Sequence, residues 1–171
     1  MSLYDLAIPT YRNMLQALDR FLAKAEDHSE GDALLAERLS EDMHPLSTQV
    51  RFVTNLPFEG LQRLTGKPFT SLEEDPETLA ASRKLVAEAL QRLATFTTDD
   101  FPAADTALEM EIPNGMTFDL TAEQHLRDWS FPNFYFHTSA AYAILRMKGI
   151  PLGKLDLMGH MMPYLRQPTP A

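Results

Sequence analysis

From Phe131 onward the chain concentrates its aromatic residues and then stops hard. Phe131-Pro132-Asn133-Phe134-Tyr135-Phe136-His137 leads through Ala140-Ala141-Tyr142-Ala143-Ile144-Leu145 into Gly149-Ile150-Pro151. A run so apolar must be buried on most of its circumference as a helix. The Gly/Pro pair must end that helix, since glycine reaches the left-handed conformation and proline cannot continue the hydrogen-bond ladder. Such a helix persists only with other elements packed on it. It also sets one histidine, His137, among apolar neighbours, which marks the core of the fold and the expected pocket together.

The partners are visible upstream. Tyr11, Met14, Leu15, Leu18, Phe21, Leu22 and Ala25 recur at three- and four-residue steps, an amphipathic helix over Leu3 to Ala25 with Pro9 in its first turn or at a kink. A polar break at Asp27 to Asp32 precedes a short helical piece carrying Leu34, Leu35 and Leu39. Asp42-Met43-His44-Pro45 reads as a helix start with Asp42 as cap. That helix runs to about Leu64 with Leu46, Val50, Val53, Leu61 and Leu64 inward, and Pro57 and Gly60 are expected to bend or split it. Asp75 as N-cap, Pro76 at N1 and Glu77 in the first turn open a third helix through Leu79, Ser82, Val86, Ala89, Leu90, Leu93 and Phe96. Leu108, Met110, Ile112 and then Met116, Phe118, Leu120 alternate about Pro113-Asn114-Gly115, the pattern of a β-hairpin. Thr121 and Gln124 have capping-box spacing for the last helix; Pro132 interrupts it, Ser130 recaps its second half, and it runs to Lys148. The expected fold is mainly α, a four-helix bundle with a short β-hairpin before the last long helix, in one domain over residues 1–171.

Composition narrows the function classes. The net charge is −9 and the fifteen Lys and Arg are scattered, so no stripe exists that would neutralise the phosphates of a nucleic acid. The same acidity opposes an anionic bilayer, and no apolar run approaches the roughly 20 residues of a membrane span. Cysteine is absent, which removes disulfides, thiolate nucleophiles and iron–sulfur clusters. Met1-Ser2-Leu3-Tyr4-Asp5 lacks the basic opening and apolar core of a signal peptide, so the expected location is cytoplasmic. Glycine-rich phosphate loops, dinucleotide fingerprints and the Gly-x-Ser-x-Gly elbow are all missing.

Several blocks resemble a known family: Ser2-Leu3-Tyr4-Asp5, Asp42-Met43-x-Pro45-Leu46 with Gln49-Val50, Pro132-Asn133-Phe134-x-Phe136-His137, Ala141-Tyr142-Ala143-Ile144-Leu145-Arg146, and Gly149-x-Pro151-x-Gly153-Lys154-x-Asp156. They are similar to an uncharacterised bacterial domain-of-unknown-function family of the DinB/YfiT-like superfamily, over nearly the whole chain. The resemblance implies a DinB-like four-helix bundle, often a homodimer, in a superfamily where many members hold a divalent metal through three histidines. One of these comes from the second helix and two from the last helix at i and i+4. His44 matches the first loosely and His137 the second, while the third falls on Ala141, which cannot ligate.

The candidate ligand-binding residues are His137, His44, Asp42, Gln49, Tyr142 and Arg146. His137 is most simply a hydrogen-bonded core histidine; the sharper reading is a ligand contact, metal ligand or general base. Asp42, His44 and Gln49 cluster at a predicted helix start, where free N–H groups favour an anion. Arg146, one turn from Tyr142, is expected to pair with a carboxylate such as Asp42 or Asp156. Lys154 and Asp156 are expected to fix the tail against the bundle, and the aromatic block to serve core or dimer interface. A metal site would draw on His44, His137 and one of Asp42, His125 or His160, although no two histidines stand at i,i+3 or i,i+4. The expectation is therefore a metal-free bundle that forms a homodimer and holds a small molecule near His137, with no cofactor. The alternative is a metal-dependent hydrolase or thiol-group transferase.

Overall fold

A computed structural model describes residues 2–166. The first amphipathic stretch forms α1 (Leu3–Glu26), opened by a capping box in which the Asp5 amide donates to Ser2 Oγ (3.1 Å) and the Ser2 amide to the Asp5 carboxylate (3.0 Å). Pro9 lies inside α1 without ending it, and the carbonyl it leaves without an N–H partner belongs to exposed Asp5. The inward stripe of α1 is buried from Leu3 to Ala25. At about 1.5–3 kcal/mol for each large apolar side chain, this burial outweighs the roughly 1 kcal/mol of the cap.

A 3₁₀ turn over Gly31–Ala36 buries Leu34 and Leu35, but Leu39 beyond it is exposed rather than inward. The second helix, α2, spans Leu46–Thr65. Its N-cap is Pro45 and not Asp42, whose carboxylate is occupied by Ser40 Oγ (2.6 Å) in the preceding turn. Pro57 and Gly60 do not split it. At Gly60 a β-carbon would meet Ser130 Oγ at 2.5 Å and the Tyr11 hydroxyl at 3.3 Å, so the missing side chain is what lets α1, α2 and the last helix meet. Gly66, at φ +71°, closes α2 in the left-handed conformation.

The third helix, α3 (Leu79–Leu93), starts three residues later than the Asp75-Pro76 signal suggests. Thr78 is its cap, accepting from the Ala81 amide (3.0 Å). Asp75 instead reaches back to α2, where it accepts from Ser47 Oγ (3.2 Å) and Thr48 Oγ1 and pairs with Arg51 Nε (2.6 Å). Those partners hold its carboxyl below the ordinary carboxylate range against the opposing effect of burial.

The hairpin is β1 (Ala107–Glu111) against β2 (Thr117–Thr121), antiparallel, with Leu108 opposite Leu120 and Met110 opposite Phe118. Met110 is buried and Phe118 packs on Trp129 (5.8 Å), so one face lies on the helical body as a two-stranded sheet requires. Ile112 and Met116 sit outside the ladder, joined by the Ile112 amide to the Met116 carbonyl, with Gly115 at φ +82° in the turn.

Thr121 and Gln124 form the expected capping box and open α4 (Ala122–Gln124). No recapping occurs at Ser130. The chain passes through a π-helical turn at His125–Ser130 straight into α5 (Phe131–Met147), with Pro132 in its first turn. The Ser130 hydroxyl is spent on Tyr11 Oη, 2.7 Å away in the core. Gly149, at φ +86°, ends α5. A short α6 (Lys154–Met158) is tied to α1 by Asp156 with Lys24 (2.8 Å) and by Arg20 Nε donating to the Asp156 carbonyl (3.1 Å), while Lys154 stays exposed. Of the four long helices, α1 packs on α3 and α5, and α2 on α5 and α3. Among the described residues no helix is long and apolar enough to cross a membrane.

Candidate functional site

His137 projects from α5 with Phe134 one turn before it and Ala141 one turn after it, both fully buried. The helix facing it is α2, whose first turn supplies Gln49. Gln49 is 1% exposed. A buried amide must spend both ends, and this one does: Nε2 donates to the His44 carbonyl (3.1 Å), and Oε1 lies 2.8 Å from His137 Nδ1. A carbonyl can only accept, so the amide nitrogen must face His44 and the amide oxygen must face His137. Nδ1 is therefore the protonated ring nitrogen, and Nε2 carries the lone pair with no hydrogen-bond partner among the described residues.

The ring is half-buried. Burial first, and the neighbouring His44 second, lower its pKa to about 4, so His137 is neutral at physiological pH. Phe52 of α2 contacts both histidines, its ring centroid 4.7 Å from His137 and 5.1 Å from His44, and Phe136 meets His137 edge-on at 5.1 Å. Arg51, held by Asp75, lies over the Phe52 ring at 4.8 Å. The result is an imidazole in contact with two aromatic rings and carrying one fixed acceptor nitrogen.

Three of the expected residues thus meet: His137, Gln49 and His44. Gln49 does so without displacing Val50, since both are buried. Asp42 bonds Ser40, and no hydrogen bond or ion pair joins it to Gln49 or His137. Tyr142 faces α1, edge-on to Phe21 at 5.4 Å. Arg146 is exposed, and the pairing expected for it is overturned: Asp156 takes Lys24, Asp42 takes Ser40, and the cation bridging to the chain before α2 is Lys148, with Glu30 (2.9 Å) and Glu37 (3.2 Å). Phe52 was not legible as a site residue because it reads as one more apolar position. Its signal is the i,i+3 step from Gln49, which puts both on one helix face.

The donors present do not fit a three-histidine metal centre. Ala141 stands buried at the i+4 position, and among the described residues no group of three or more His, Asp or Glu side chains is placed to hold an ion. His125 is enclosed in the π-helical turn, and His160 lines a cleft of about 330 Å³ between α1, α5 and the C-terminal segment with Asn13, Tyr135 and Ser139. That cleft, one between α1 and α3, and one between α2 and α3 are not lined by His137, whose ring is flanked by Phe52 and Phe136.

Comparison with known proteins agrees with this architecture. A family model described as "Domain of unknown function (DUF1993)" matches residues 3–158. The chain is similar to a DinB family member protein from Shewanella denitrificans, a crystal structure with 34% sequence identity and a TM-score of 0.82, over 99% of this chain and 95% of that one. No curated protein matches.

Proposed function

Because the chain belongs to the DUF1993 family and has a DinB-like fold, we propose that it is a cytoplasmic, homodimeric four-helix-bundle protein that works by non-covalent recognition at His137, without a metal. The observation that carries this reading is the Gln49 hydrogen bond. It fixes one tautomer and leaves Nε2 as an acceptor on a ring that Phe52 and Phe136 contact. A flat molecule with one O–H or N–H donor matches that site, its ring against the two phenyl groups and its donor on Nε2.

Phenol is the simplest probe. Titrated into isotopically labelled protein, it is expected to shift the resonances of His137, Phe52 and Phe136 and to bind more tightly than anisole, which lacks the donor. One neutral hydrogen bond corresponds to about 2- to 10-fold in affinity. Gln49→Leu frees the tautomer and should remove that preference. Shifts that ignore the donor, or that map elsewhere, would refute the reading.

A specific observation also favours the metal-dependent alternative. An imidazole whose Nδ1–H is held by a side-chain oxygen is the arrangement found behind metal-bound histidines. Stoichiometric zinc, nickel or iron that survives dialysis of untagged protein and is lost in His137→Ala would make the hydrolase or transferase reading the leading one.

A further inference from the structure

Between α2 and α3, beneath the connecting segment 66–72, lies a cleft of about 460 Å³. The apolar part of its wall is Phe58 from α2, Leu85 and Ala89 from α3, and Phe69 and Leu72 from the segment, and polar side chains such as Thr54, Gln91 and Thr95 complete it. The volume falls within the roughly 300–1,000 Å³ typical of small-molecule sites. The cover over it is held in place, since Asn55 grips both backbone groups of Leu72, donating to its carbonyl (2.9 Å) and accepting from its amide (3.1 Å). Gln62 accepts from the Phe69 amide (3.2 Å) and Glu59 from Ser71 Oγ (2.7 Å).

Arg92 stands at the rim. Its guanidinium lies over Phe69 (4.7 Å) and Phe58 (5.4 Å), and Nη2 donates to the Pro68 carbonyl (2.8 Å). The rest of its five-donor fork makes no hydrogen bond and no ion pair among the described residues, in a chain with 24 acidic side chains against 15 basic ones. Glu88, which also lines the cleft, is directed instead to Lys84 (3.7 Å). An arginine oriented by two rings, with its remaining donors unspent beside a largely apolar hollow, has the geometry of a carboxylate receptor. We propose that this cleft binds an amphipathic monocarboxylate, its hydrocarbon body against Phe58, Leu85 and Ala89 and its carboxylate on Arg92. The site shares no residue with the His137 face and does not rest on that reading.

The test uses the full chain, with octanoate and the isosteric neutral octanamide as probes, followed by calorimetry and by chemical-shift mapping. Octanoate should bind saturably with shifts at Phe58, Phe69, Ala89 and Arg92. Arg92→Gln, at an exposed position and checked for an unaltered unfolding curve, should weaken octanoate by about tenfold or more and leave octanamide unchanged. Ala89→Leu, checked for an unaltered unfolding curve, should fill the cleft and weaken both. Absence of octanoate binding at millimolar concentration, equal loss of both probes in Arg92→Gln, or shifts that map to another face would overturn the proposal.

Discussion

His125 is enclosed completely, and neither ring nitrogen has a well-aligned hydrogen-bond partner among the described residues. Burial, and then the Arg63 guanidinium, lower its pKa to about 4, with the nearby Gly60 carbonyl offsetting part of the effect. The unfolded chain titrates this residue near its ordinary value of about 6.5, so between the two values the unfolded state binds the extra proton. Stability is therefore full above about pH 6.5 and falls as pH drops toward about 4. Lowering the pH from about 7.5 to about 5 should cost the protein about 1–2 kcal/mol through this residue. Urea unfolding at both pH values checks it: His125→Leu should lose correspondingly less on acidification than the parent, and an equal loss in both would show that His125 is solvated. Residue chemistry of this kind was only partly legible. His137 stood out because a polar group on an apolar helix needs a partner, and Gln49 because it falls with Asp42 and His44 at a predicted helix start; the two are each other's partner. Asp42, Asp75 and Ser130 misled for one shared reason: each looks like a local cap, yet Asp75 and Ser130 spend their oxygens on Arg51 and Tyr11 far along the chain and Asp42 on a turn.

Helix boundaries behave differently from helix faces. The apolar faces of α1, α2, α3 and α5 follow from residue spacing alone, since a stripe at three- and four-residue steps has one way to be buried. The unbroken passage of the chain from α4 through the π-helical turn into α5 was not readable, because a proline with a serine two residues before it also describes a break. Gly60 shows what the passage achieves. Ser130, at the end of the π-helical turn, comes so close to α2 that no β-carbon fits at position 60. Gly60→Ala brings two opposed effects. Alanine is better than glycine in a helix interior by about 1 kcal/mol, whereas forcing a methyl group onto a buried hydroxyl costs typically 1–3 kcal/mol and loosens the Tyr11–Ser130 hydrogen bond as well. Overpacking should win, with a net loss of about 1 kcal/mol or more and a lower melting temperature. A melting temperature that rises in Gly60→Ala would show that the helices separate freely at this point.

At the scale of the whole molecule, several of the exposed large apolar residues lie in the C-terminal segment: Met161, Met162, Tyr164 and Leu165 are 45–79% exposed, and Tyr135 of α5, which shares a cleft with His160, is 44% exposed. Side chains of this size on a monomer surface are what a second copy would cover. Light scattering at micromolar concentration should give about twice the 19.3 kDa of one chain, and replacing Tyr164 and Leu165 together by Asp should return the single mass. A parent protein that scatters as one chain at every concentration would assign these residues to solvent. The way α1 is enclosed has a further consequence for how the chain is made. Tyr11 finds its hydroxyl partner 119 residues later, and Phe21 and Lys24 find Tyr142 and Asp156 later still. At roughly 5–20 residues per second, a ribosome leaves the N-terminal helix without these companions for on the order of ten seconds. During translation α1 thus emerges well before the elements that complete its shelter, and a nascent chain interrupted before α5 would present the unshielded part of its stripe to chaperones and proteases.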